Sequence, residues 1–146
     1  MEVDIGKDKL DFSQSKASLE KLIHLVTKRF ALDNKYRAQV FDVAANMNIN
    51  AWDMLKYKFL CKLTARHKGD RKFLMVFGGS SVTAGHDNYF HESYPIFFQR
   101  RISEAFRALK VDLVVHNIAQ GSNDCYPYNW CYEAMGGEKP DWIGGK

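Results

Sequence analysis

The stretch Phe73 to Gly85, FLMVFGGSSVTAG, sets two serines where an apolar run gives way to glycine. The run reads as a buried strand, the glycines as a sharp turn and the residues after Ser81 as a helix start, which leaves a hydroxyl exposed at the bend. A serine at the carboxyl end of a central strand, beside free backbone N–H groups, is placed to attack a carbonyl while those amides hold the oxyanion. Such a hydroxyl needs a base, and the imidazoles near the loops are His86, His91 and His116. His86 and His91 read as loop or capping residues close to the serine turn, and His116, at the end of a strand, as a packed or hydrogen-bonded side chain. Cys61, Cys125 and Cys131 match no zinc ribbon and include no Cys-x-x-Cys pair, so neither a metal nor a cofactor is expected. Cys125 and Cys131 lie six apart in an aromatic loop, compatible with a disulfide in an oxidising compartment and equally with two reduced thiols. Cys61 reads as a buried thiol on a helix.

The elements that must position these groups follow from periodicity. Leu19, Leu22, Ile23, Val26 and Phe30 fall at helical spacing, with Ser13 or Ser15 as cap. A second helix carries Tyr36, Val40, Phe41 and Ala44. A third, capped near Asn50, carries Trp52, Leu55, Phe59 and Leu63, with lysines on a solvated opposite face. The period changes at Phe73 to Phe77, a continuous apolar run typical of a strand covered on both faces. Pro95 suits the first turn of a helix whose inner face is Phe97, Phe98, Ile102, Phe106 and Leu109, and Val111 to Val115 forms the next strand. Strand, helix, strand without a hairpin signal implies a right-handed crossover and parallel pairing, with function gathered at the strands' carboxyl ends. The chain therefore divides into an α-helical extension, 1–69, and an α/β unit, 70–146.

With 146 residues, 46% of them hydrophobic, there is material for one core with an appendage. A net charge of +4, concentrated in residues 56–72, gives no patterned basic surface, so no nucleic-acid partner is expected. The amino terminus has neither a basic n-region nor an apolar h-region, and no window is apolar enough to span a membrane; the compartment is left open. Gly85 is followed by His86, not by Lys-Ser or Lys-Thr, and no Gly-x-Gly-x-x-Gly occurs, which sets nucleotide loops aside. The aromatic loop from Cys125 to Met135 reads either as a substrate wall, for a glycan or acyl chain, or as a lid over the sheet's open edge.

Gly79-Ser80-Ser81-Val82-Thr83-Ala84-Gly85 resembles the first sequence block of the SGNH or GDSL-type serine hydrolases, esterases and lipases whose block reads Gly-Asp-Ser-hydrophobic-Thr-x-Gly. Ser81 falls on the nucleophile, and Ser80 stands where the family usually has aspartate. The second block is a glycine after the next strand, and Val-Val-His-Asn-Ile-Ala-Gln-Gly places Gly121 there. The resemblance implies a partial flavodoxin-like three-layer α/β/α fold with a parallel sheet, covering Phe73 to Ile143. It implies Ser81 as nucleophile, with the Ser81 and Gly121 N–H groups as oxyanion donors. Gly121-Ser122-Asn123-Asp124 also spells the family's Gly-x-Asn-Asp motif, one strand early; we read it as the second block followed by a coincidental Asn-Asp, with Asn123 kept as a further oxyanion candidate. Lys139-Pro140-Asp141-Trp142-Ile143 resembles the start of the family's third strand.

The family's base sits in an Asp-x-x-His block, and no aspartate in this chain is followed three positions later by histidine. Since an unassisted serine is a poor nucleophile, turnover by the chain as written is expected to be very low. Two expectations follow: the front part of a longer hydrolase acting on an ester-bearing small molecule, lipid or glycan, or a non-catalytic relative that docks in a larger protein complex through residues 1–69.

Overall fold

A computed structural model of the chain describes residues 10–29, 49–65, 68–87, 89–121 and 133–144. In chain order these form α1 (Phe12–Arg29), α2 (Ile49–Thr64), a 3-10 turn (Lys68–Arg71), β1 (Lys72–Phe77), α3 (Ser81–Ala84), a 3-10 turn (Phe90–Glu92), α4 (Tyr94–Ala108), β2 (Asp112–Asn117) and β3 (Trp142–Gly144). The expected helix over Tyr36 to Ala44 lies outside the described residues.

Among the described residues the sheet has three parallel strands in the order β2-β1-β3. The central position explains the unbroken apolar run of β1, since Phe73 to Phe77 are all buried and Val76 is fully so. One face, built from Phe73, Met75, Phe77, Leu113 and Val115, packs on Leu63, Ile102 and Leu109, with Leu22, Leu55, Phe59 and Phe106 around them. Phe59 meets Phe73 and Phe106 edge to face at 5.8 and 5.4 Å, so the helical extension shares the core of the α/β unit. Each such buried side chain stabilises the fold by about 2 kcal/mol through apolar burial.

The other face carries Leu74, Val76, Val114 and Ile118. It is met by one helical turn, 133–136, whose Gly136 lies so close that a Cβ there would sit 2.7 Å from Val76 Cγ1. The crossover from β1 to β2 thus packs on one face, and the described turn that precedes β3 on the other. Right-handed connections in opposite directions across a parallel sheet require that arrangement.

Several local expectations are corrected. Asp11, not Ser13 or Ser15, caps α1: its Oδ1 accepts the Gln14 N–H at 2.8 Å, and its own N–H donates to Ala108 O at 3.0 Å, docking the helix start on α4. Ser15 is instead buried. Leu19 and Ile23 remain well exposed, because α1 lies against α4 on a narrower stripe than the sequence pattern suggests. Phe97 also faces water, under the Arg101 guanidinium, while the smaller Ala105 and Ala108 take the inner face of α4. Cys61 is exposed, and its thiol raises the Tyr57 hydroxyl above the usual tyrosine range, first by hydrogen bonding and then by its charge.

Two lysines of α2 are not merely solvated. Lys58 Nζ donates to Pro140 O at 2.9 Å, and Lys62 Nζ lies 3.4 Å from Asp141 Oδ1. Asp141 accepts the Leu74 N–H on Oδ2 at 2.9 Å while its own N–H donates to Leu74 O at 2.8 Å. This reciprocal pair fixes the register of β3 on β1, and α2 holds it from above. No helix among the described residues is long and apolar enough to cross a membrane.

Candidate functional site

The strand register builds the site. β1 and β2 pair Lys72 with Asp112 through Phe77 with Asn117, a constant separation of forty (112 − 72 = 40). Pairing continues past the strands, with Ile118 N–H donating to Phe77 O at 2.9 Å and Gln120 N–H to Gly79 O at 3.2 Å. Ser81 and Gly121 keep the same separation (121 − 81 = 40), so the two loops leave the sheet side by side and bring them together. A Cβ on Gly121 would lie 3.7 Å from Ser81 Cβ and 3.9 Å from its Cα.

The turn before Ser81 depends on backbone freedom. Gly79 has φ +143, a conformation side-chain-bearing residues rarely adopt, and it redirects the chain from β1 into α3. Ser80 is the extended residue at the helix start, with no hydrogen bond from its side chain to the helix. At the far end Gly85, φ +86, closes α3, with the His86 N–H donating to Ser81 O at 2.9 Å. A Cβ on Gly85 would meet Ser93 Cβ at 2.9 Å, so the Thr-x-Gly ending of the motif has a steric reason.

Ser81 is half-buried and Gly121 exposed, leaving their junction open to solvent. Neither the Ser81 N–H nor the Gly121 N–H donates to any acceptor among the described residues. Amides without a partner among the described residues, beside a half-buried hydroxyl, are groups that an oxyanion site would use. Asn123 lies outside the described residues.

Asn117, to which the sequence reading gave no role, ties these parts together. Its Nδ2 donates to Thr83 O at 2.9 Å and to Ser93 Oγ at 3.1 Å, and its Oδ1 accepts the Ala119 N–H at 3.2 Å. The available signal was a carboxamide closing the strand Asp112–Asn117 just before the Gly121 loop.

The imidazoles lie elsewhere. His86 approaches Asp87 at 3.6 Å on the surface, and His91 stacks on Tyr89 with ring centroids 5.4 Å apart. His116 Nδ1 pairs with Gly136 O at 2.6 Å, on the face of the sheet that the 133–136 turn covers. Of the aromatic loop, residues 125–132 lie outside the described residues, and the turn that follows packs against Val76 of β1. Cys125 and Cys131 are outside them too. No group of three or more histidine, cysteine, aspartate or glutamate side chains among the described residues is arranged to hold a metal. A cleft lined by Gln99, Ser103, Arg107, Lys110 and Asp112 opens at the amino end of β2, the opposite end of the sheet from Ser81.

The arrangement brings the Ser81 side chain and the Gly121 backbone close together at the carboxyl end of the sheet. In comparisons with known proteins, no family model, no curated protein and no solved structure matches the chain.

Proposed function

We propose that residues 73–121 form the nucleophile and oxyanion half of an SGNH-type esterase site on a partial flavodoxin-like sheet. Ser81 attacks the carbonyl of an acyl or acetyl ester, and the Ser81 and Gly121 N–H groups hold the resulting oxyanion. The observation that carries this reading is the closeness of Gly121 to Ser81, where a Cβ on the glycine would lie 3.7 Å from Ser81 Cβ and neither amide donates to an acceptor among the described residues. No aspartate of this chain is followed three positions later by histidine, so reaction with activated reagents is expected to exceed turnover of ordinary esters.

Incubation with a fluorophosphonate tests the proposal, since Ser81 Oγ would form a bond to phosphorus as fluoride leaves and the hydroxyl proton passes to buffer. Labelling of the wild type and its loss in Ser81→Ala is the expected result. Equal labelling of both proteins, or none of either together with no hydrolysis of an activated acetate ester, refutes it.

A second reading, a non-catalytic subunit docking through residues 1–69, is favoured by Met54, Tyr57 and Leu60, which are exposed along α2. That subunit would self-associate or take up a partner on α2, and a strictly monomeric chain by light scattering, with α2 amides unprotected from hydrogen exchange, counts against it.

A further inference from the structure

We propose that Asn117 is the positioning residue of the Ser81 site, its carboxamide setting the Ser81 turn and the Gly121 loop at the separation that aims both N–H groups at one oxygen. This rests on the esterase reading above. Three partners from three different segments meet on one side chain: Thr83 O in α3, Ser93 Oγ before α4 and Ala119 N–H in the loop leading to Gly121. Their chemistry fixes the orientation of the amide. Thr83 O can only accept and the Ala119 N–H can only donate, so Nδ2 must face α3 and Oδ1 the loop.

No other residue type satisfies the same set. Aspartate would set lone pairs against Thr83 O, serine lacks the reach and the second donor, and glutamine is one methylene too long for a half-buried site at the end of β2. Backbone bonds between the two loops include Ile118 N–H to Phe77 O at 2.9 Å and Gln120 N–H to Gly79 O at 3.2 Å, and neither reaches α3 itself. The carboxamide is what ties α3, through Thr83 O, to the loop before Gly121. Misplacement of catalytic groups by about 1 Å can cost up to about a hundredfold in rate, so loss of Asn117 should be read in reactivity before it is read in folding.

The test compares wild type, Asn117→Ala, Asn117→Asp and Asp141→Ala, the last a control that loosens the β3 register without touching Asn117. Two readouts are taken: the rate of fluorophosphonate labelling at Ser81, and the nuclear Overhauser effect between the Gly121 Hα and Ser81 Hβ protons. Expected are labelling slowed about tenfold or more in both Asn117 variants, a weakened Gly121–Ser81 effect, and unchanged effects between β1 and β2. Asp141→Ala should label within about twofold of wild type despite its lower stability. Labelling of the Asn117 variants at the wild-type rate, or equal slowing in Asp141→Ala, overturns the proposal. If Asn117→Ala fails to fold, Asn117→Asp and Ser93→Ala, each removing donors or acceptors from the same cluster, carry the comparison. If the wild type itself is not labelled, the esterase reading fails; the Overhauser effect still decides whether Asn117 holds the two loops, and its persistence in a folded Asn117→Ala overturns that as well.

Discussion

Replacing Gly121 with alanine separates the stability of the site from its chemistry. The new methyl would stand 3.7 Å from Ser81 Cβ and 3.9 Å from Ser81 Cα, within the range of favourable carbon–carbon contact. Gly121 is not among the glycines with positive φ, so alanine is compatible with the backbone there. The steric cost is therefore close to zero, and the smaller entropy of the unfolded alanine chain can add about 0.4–1 kcal/mol of stability. The methyl nevertheless stands beside Ser81, where the proposed esterase site would admit the reacting carbonyl. Urea unfolding followed by circular dichroism should place Gly121→Ala within about 1 kcal/mol of wild type. Fluorophosphonate labelling at Ser81 should slow at least about tenfold, a smaller loss than deletion of an oxyanion donor, because the amide remains. Wild-type labelling by a variant that folds normally would show that substrate does not approach between these residues, and the oxyanion assignment of Gly121 would fall. A large loss of stability would refute the contact distances themselves.

Three other outcomes follow from the same packing. Gly136→Ala must push its methyl to 2.7 Å from Val76 Cγ1 and should destabilise by about 1–3 kcal/mol; combined with Val76→Ala the cost should be less than the sum of the two, measured as a double-mutant cycle by urea unfolding. Asp141→Ala leaves the buried Leu74 N–H without its side-chain acceptor and Lys62 without its partner, and should cost about 1–3 kcal/mol, with faster hydrogen exchange at Ile143 and Gly144. Cys61→Ala should return Tyr57 to the ordinary tyrosine range in an ultraviolet absorbance titration. Because the folded hydroxyl loses its proton at higher pH than an unfolded one, its contribution to stability is present below the unfolded pKa and lost as pH rises through the folded one, and the substitution should remove that dependence.

The sheet was legible because its signal is local. Five consecutive apolar residues at Phe73 to Phe77 can be satisfied only by burial on both faces, and Pro95 marks the start of α4 in the sequence itself. Ser81 and Gly121 were legible for the same reason, since a hydroxyl or a glycine just past a strand is visible without knowing its neighbours. What escaped depends on distant partners. Asn117 is ordinary by type and matters through Thr83 and Ser93, 34 and 24 positions away. Lys58 is used by Pro140, 82 positions away, and no charge pattern along α2 reveals that. Phe97 and Leu19 fit the helical period yet face water, because the period tells which residues share a stripe, not how wide the neighbouring surface is.

The constant separation of forty between β1 and β2 makes the sheet a ruler that the crossover segment does not control. Residues inserted or removed between Ala108 and Asp112 would change the number that separates Ser81 from its partner, but not which backbone position stands opposite, as long as the ladder re-forms in register. A slip of the ladder is different: moved by two residues, the same side chains would still face the core, yet Ala119 or Asn123 would stand where Gly121 does. The site therefore tolerates changes of length around it and is sensitive to alignment within it, so its chemistry is inherited from hydrogen-bond pairing and not from spacing along the chain.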